Sequence, residues 1–136
     1  MHKVIQHHTT AQPLFQGNFP NDRQCIEAAL KNKVRLDFAN LRHWNLNHAN
    51  LDGLELSGAD LSFTSLNGCN LSEARLLNCN FANADIIDCC MAESNFENCS
   101  FEDANFGATI ITNARFTSCS FSSISCFSII SKIAIA

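Results

Sequence analysis

The sequence predicts a β-solenoid, and three observations predict it. From Leu36 to Phe121 every fifth residue is apolar: Leu at each such position through Leu76, then Phe81, Ile86, Met91, Phe96, Phe101, Phe106, Ile111, Phe116 and Phe121. Two residues before each of these runs a second column that is mostly Ala, Cys, Ser or Thr, as in Ala39, Ala59, Cys79, Cys99 and Cys119. The other three positions of each five are largely Asn, Asp, Glu, Ser, Arg and Gly. A period of five fits neither the helical 3.6 nor the strand 2. A short fixed repeat calls instead for a coil that closes on itself, each unit forming one side.

Ahead of the repeat, two extended segments are expected around a polar turn, His2–Gln6 and Pro13–Phe19. Asn21 or Asp22 then offers a helix N-cap. Ile26, Ala29 and Leu30 make one apolar face, and Lys31 to Lys33 fall where cations favour a helix end. A solenoid has two open ends, and an unpaired end invites misassociation. Residues 1–33 are therefore read as an N-terminal cap whose helix lies across the first coil near Val34 and Trp44. Trp44 stands in an inward slot, which makes it a plug between coil and cap rather than a binding aromatic.

Within residues 34–123, the large residue and the small one two before it share a face, because side chains alternate along extended chain. Asn40, Asp60 and Arg75, between them, point outward. The last two residues of each five make a corner, and Gly53, Gly58 and Gly68 there suit a positive φ. The runs Ala39-Asn40-Leu41, Ala49-Asn50-Leu51, Ala59-Asp60-Leu61, Ala84-Asp85-Ile86 and Ala104-Asn105-Phe106 resemble the A(D/N)LXX signature of pentapeptide-repeat proteins. That resemblance implies a right-handed quadrilateral β-helix, four units per coil, here with a small α/β N-terminal cap. Residues twenty apart then stack, and eighteen units give about four and a half coils in a rod on the order of 22 Å long. Val34, Trp44, Leu54 and Ile124 are bulky where the pattern wants a small residue. The change from Leu to Phe after Leu76 is expected to alter cross-section and turn type near the middle. The cap-plus-repeat arrangement also resembles pentapeptide proteins of phage and prophage genomes.

Residues 124–136 are rich in β-branched side chains with Lys132 as their one charge, too apolar for a solvated tail. They either cap the last coil or form a self-complementary face. A gene truncated or frameshifted there is a further reading. The resemblance favours a homodimer, since such proteins commonly pair through their C-terminal ends; Phe121, Ile124, Phe127, Ile129 and Ile130 are its candidate interface.

Eight cysteines in a short chain raise the question of a disulfide framework. Cys69, Cys79, Cys89, Cys99 and Cys119 occupy inward slots in parallel, whereas bridging needs converging Cβ vectors. They read as small buried hydrophobes. Cys90, on an outward slot, is the thiol expected to react. No paired C-x-x-C supports zinc, and no metal or other cofactor is expected. With neither a secretory segment nor an apolar run of membrane length, a cytoplasmic location is expected, and the sequon Asn98-Cys99-Ser100 carries no weight there.

Catalysis finds no support, because flat outer walls hold no pocket to gather Ser, His and Asp. His43 and His48 at neighbouring corners read as surface histidines. The shaft is acidic: eleven acids against three bases leave −8 between Leu36 and Ser123, while residues 1–35 carry +3. An acidic rod resembles those pentapeptide proteins that mimic B-form DNA and bind type II topoisomerases such as gyrase. Against that, the acids divide among all four sides, and the column Arg35, Glu55, Arg75, Asn95, Arg115 reads as self-neutralising pairs. Asn and Ser ladders account for most outward columns. Leu77, Ile87, Ile110 and Phe63 are the apolar residues expected outside. The functional expectation is a non-catalytic protein–protein interaction module that binds a protein partner rather than nucleic acid directly. Cys90 and Ile110 mark the shaft's contact column. The topoisomerase-binding DNA mimic is the alternative.

Overall fold

A computed structural model describes residues 1–121. The repeat winds as expected: Leu56 pairs in parallel with Leu76, Leu76 with Phe96, and Phe96 with Phe116. These lie in β4 (Glu55–Ser57), β5 (Arg75–Leu77), β6 (Asn95–Glu97) and β7 (Arg115–Thr117), which form one parallel sheet in chain order. The other three walls are ladders of single bridges: Asn40–Asp60–Asn80–Ser100–Ser120, Asn45–Ser65–Asp85–Asn105 and Asn50–Asn70–Cys90–Ile110. Each outward residue thus sits directly over its counterpart twenty residues on. Backbone bonds such as Leu61 N to Asn80 O (2.7 Å) and Asp60 N to Ala39 O (2.9 Å) join the coils. Side chains add to them, as where Asn67 Oδ1 accepts the Ile87 N–H at 2.9 Å.

Both inward columns are buried, with Leu36 through Phe106 at the large positions nearly sealed from solvent. Ile111 and Phe121, near the described end, are half-buried. The phenylalanines continue the leucine columns as flat stacks: Phe81 over Phe101 at 4.9 Å and 8°, Phe101 over Phe121 at 5.2 Å and 4°, Phe96 over Phe116 at 5.0 Å and 6°. Rings on adjacent walls meet edge to face, as Phe96 meets Phe101. Both are favourable geometries for aromatic quadrupoles.

Every corner from Phe38 to Ser118 places its second residue in the left-handed region, with φ between 53° and 71°. Most corners are type II turns, closed by a bond such as Ala39 N to Leu36 O at 3.1 Å. Among the described residues the corners after Leu56, Leu76, Phe96 and Phe116 lack that bond, as does the one after Ile86. Turn type was expected to change where Leu gives way to Phe. It changes instead with the three-residue strands of this wall, so Leu56 already shows it, while Leu36, on the same wall but outside any strand, keeps the bond.

The cap consists of a hairpin and a helix. β1 (His2–His7) pairs antiparallel with β2 (Pro13–Asn18) and, on its other edge, with β3 (Ala39–Asn40) of the first coil. The hairpin thereby extends the Asp60 wall beyond the first rung. Helix α1 (Asp22–Lys31) starts where Asn21 Oδ1 accepts from Gln24 N at 2.8 Å, the N-cap bond its sequence offered. Cys25, Ile26 and Ala29 are buried against the first coil, while Leu30 stays half-buried. Asp22 Oδ2 accepts the Asn45 N–H (2.9 Å) and Glu27 Oε2 the Asn50 N–H (2.7 Å). Those amides have no preceding coil to bond, so the helix supplies carboxylates in place of carbonyls. Val34 and Trp44 pack half-buried at the edge of the core, and Leu54 is fully inside.

Candidate interaction surfaces

Since the rod turns its small and large columns inward, its chemistry lies on four walls and four corners. Cys90 and Ile110 share one wall as bridge partners below Asn50 and Asn70. Ile110 is 54% exposed, the most open large apolar side chain on the shaft. Cys90 is half-buried, with the Ser72 hydroxyl 3.3 Å from its sulfur. Leu77 is exposed on the opposed side of the corner that follows Leu76, as expected. Ile87 is not: it is half-buried, lying over Gly107, where an added Cβ would meet its Cγ1 at 3.5 Å. Of the candidate dimer residues, Phe121 is half-buried on the Phe101 ring, and Ile124, Phe127, Ile129 and Ile130 lie outside the described residues.

The inward thiols form two ladders. Cys79, Cys99 and Cys119 stack on one wall and Cys69 and Cys89 on the opposite one; the sulfurs of Cys69, Cys79, Cys99 and Cys119 also face a backbone carbonyl of the previous coil, as Cys119 faces Phe96 O at 3.4 Å. All five are free and buried. The hydrogen bond from Cys119 lowers Cys99, but the bond with Cys79 and burial outweigh it and push that thiol up to about 12. Cys89 is raised by its bond with Cys69 and then by burial. Cys79 and Cys69, stabilised as acceptors from Cys99 and Cys89, are held below the ordinary thiol value.

The arginine column behaves differently from expectation. Arg35 turns to Asp37, its Nη2 and Nε reaching one carboxylate oxygen at 2.6 and 3.1 Å, instead of pairing with Glu55. Arg75 and Arg115 make no ion pair among the described residues. Parallel stacked side chains on an open wall gain little from pairing in water and lose rotamer freedom, so they extend outward instead. Two open clefts result on this wall. One of about 500 Å³ lies between Lys33, Arg35 and Glu55 at the cap, and one of about 720 Å³ between Arg75, Asn95 and Arg115.

Phe63, expected outside, is joined there by Phe38, which the sequence reading left unassigned; each is 46% exposed. Both occupy the left-handed corner position, as do His43 and His48. The two histidines do not converge: His43 stacks on Phe63 at 5.0 Å, and His48 lies over Gly68 on another corner. Corner position could have exposed Phe38, since each ring falls two residues after a central leucine. No group of three or more His, Cys, Asp or Glu among the described residues could hold a metal, and no helix among them is long and apolar enough to cross a membrane.

The family model described as Pentapeptide repeats matches residues 35–72 and 59–98, in eight copies. The described coil continues with the same bridges to Ser120. No curated protein matches the chain. Among solved structures, alr5209, a pentapeptide repeat protein from Nostoc PCC 7120, is 21% identical over 85% of this chain and 96% of its own, with a TM-score of 0.59. QnrB1, a plasmid-mediated fluoroquinolone resistance protein, is 15% identical over 62% of this chain, with a TM-score of 0.53. The match spans 49% of QnrB1, about half its length.

Proposed function

Because the chain belongs to the pentapeptide-repeat family, we propose that it is a non-catalytic scaffold that binds a protein partner along its shaft. One observation carries this reading. Most polar groups of the walls are satisfied from rung to rung, yet Ile110 stands 54% exposed one rung beyond Cys90 in a column that begins with Asn50 and Asn70. An apolar side chain on such a wall gains by burial against a partner, roughly 25 cal/mol per Å² removed from water. A photo-crosslinking residue at position 110, with a second one at position 100 on the opposite wall as control, tests it in cells. The expected result is one dominant protein adduct at 110 that the control lacks. Equal or no adducts at both positions overturn it.

The same scaffold is proposed to form a homodimer through Phe121, Ile124, Phe127, Ile129 and Ile130, on the apolar composition of that end. Sedimentation velocity of the full chain should give a dimer that Phe127→Asp with Ile129→Asp converts to monomer; a monomeric full chain sinks this. The acid excess of the shaft supports a second reading, a DNA mimic that binds a type II topoisomerase, and QnrB1, a fluoroquinolone resistance protein, shares the fold. A gyrase supercoiling assay decides between the two. Neither inhibition nor protection from fluoroquinolone at saturating protein removes the mimic.

A further inference from the structure

Three buried thiols stand in one line inside the rod. Cys79, Cys99 and Cys119 fill the same small inward slot of three successive coils. Their chain neighbours Asn80, Ser100 and Ser120 are bridged in register, so the thiols repeat at the rung spacing of about 4.8 Å. They are hydrogen-bonded in sequence, Cys99 meeting both of the others.

The backbone serves this ladder with donors that have no other use. The corners after Leu56, Leu76 and Phe96 lack the closing turn bond, which leaves the amides of Ala59, Cys79 and Cys99 without a backbone acceptor among the described residues. Each turns to the sulfur one rung on: Ala59 to Cys79, Cys79 to Cys99, Cys99 to Cys119. An N–H aimed at sulfur favours the thiolate over the thiol. The S–H groups, by contrast, find only carbonyls at 3.4–3.8 Å to donate to. The opposite pair is held differently. Cys69 donates to Leu46 O at 2.8 Å, and the Ala49 amide above it already closes its own turn at 3.1 Å.

Stacking decides what the three sulfurs can hold. A disulfide needs them about 2.05 Å apart, out of reach at the rung spacing. Zinc wants four converging ligands, whereas the line offers two at any one gap. Two thiolates with a metal midway between them span about 4.6 Å, twice a metal–sulfur bond of about 2.3 Å, which matches the rung spacing. Parallel Cβ–Sγ bonds meet such an axis near a right angle, which divalent sulfur accepts. Soft thiolates select Cu(I), zinc or iron–sulfur clusters, and of these Cu(I) is the one satisfied by two ligands in line.

We infer that the Cys79–Cys99–Cys119 ladder is a two-coordinate site for a soft monovalent cation, Cu(I), with Cys99 as the ligand common to both gaps. Binding breaks two S–H bonds and forms two Cu–S bonds; two protons leave to solvent and no electron moves. The ion cancels one thiolate charge, and the amides along the ladder stabilise the other. Entry is by local opening of a coil, and Cys119, 8% exposed, is the least covered of the three. The site rests on the coil geometry and not on the scaffold reading.

The test uses the full chain with Cys90→Ser and Cys126→Ser to limit binding elsewhere. It is refolded without oxygen in the presence of Cu(I) or, as control, Zn(II), and desalted. The expected result is one copper retained per chain, two sulfur neighbours in its X-ray absorption spectrum, a raised melting temperature and no retained zinc. Cys99→Ala should lose the ion, because Cys79 and Cys119 lie two rungs apart. Cys119→Ala should keep it, as should Cys69→Ala with Cys89→Ala. Should Cys99→Ala fail to fold, Cys79→Ala with Cys119→Ala, which strands Cys99, carries the same expectation of loss. Copper kept by either of these variants overturns the inference, as does its loss from the Cys69 and Cys89 variant. Three or more sulfur neighbours, zinc held as well as copper, or no copper retained by the parent overturn it too.

Discussion

At the scale of single residues, the corners show where the sequence spoke plainly and where it did not. Glycine at 53, 58 and 68 announced positive φ, and all three have it. The same conformation at Phe38 or His43 was not legible, because nothing in a Phe or His codon marks a backbone region it normally avoids. Only the period, read strictly, places them there. Replacing Gly53 by Ala adds a methyl into open space, so the loss should be that of the left-handed conformation alone, about 1 kcal/mol. Gly58→Ala meets the Phe38 ring as well and should cost measurably more in chemical denaturation. In a Phe38→Asn background the two glycine variants should become equal; a difference that persists would show that the ring is not its cause. The thiol ladders were legible as buried small residues, but their mutual hydrogen bonds depend on stacking distance. Cys99, raised to about 12 from the ordinary 9.0, stays protonated in the fold after the unfolded chain has ionised. Its contribution is thus fully present below about pH 9 and is lost as pH rises from there toward 12, by about 1.4 kcal/mol per pH unit. Cys99→Ala should flatten the alkaline limb of stability against pH, and an unchanged slope would rule the ladder out as its source.

Between residue and rod, the elements differ in how far sequence determined them. The hairpin strands and α1 emerged from local signals, Asn21 among them, because caps and turns are settled by near neighbours. Two placements were beyond local reading. One is the docking of β1 onto β3, which makes the hairpin an extra rung; the other is the engagement of Asp22 and Glu27 with amides 23 residues away. Both are tertiary pairings whose partners the pattern of five does not name. The open corners of the Glu55 wall were missed for a related reason, as strand length is decided by stacking across coils. The cap bonds make a specific expectation. Asp22→Ala with Glu27→Ala should cost on the order of 1 kcal/mol per bond lost. Hydrogen exchange should quicken at Asn45 and Asn50 first and leave Asn70 and Cys90 protected. Uniform loss of protection along the shaft would mean the helix does not act as the first coil's missing neighbour.

For the whole molecule, what matters is that each coil touches only the next, so stability is a chain of interfaces rather than one core. The interfaces are unequal. Between Leu36 and Leu76 they are aliphatic, and beyond Phe81 they are stacked rings centred on Phe101, which meets Phe81, Phe96, Phe106, Phe116 and Phe121. Removing that ring leaves a cavity in a bore too narrow for the walls to collapse across, because every wall is fixed by rungs above and below. Phe101→Ala should therefore fall within the 3–5 kcal/mol range of buried aromatic truncations. The damage should also be local. Amides of Phe106 to Ser120 should lose exchange protection by the full amount, while those of Leu41 to Leu61, stacked under the cap and out of reach of the ring, should keep most of theirs. If instead the entire rod exchanges as one unit in the variant, the coils are coupled more strongly than nearest-neighbour stacking provides. The cap and the shaft would then have to be treated as a single cooperative block.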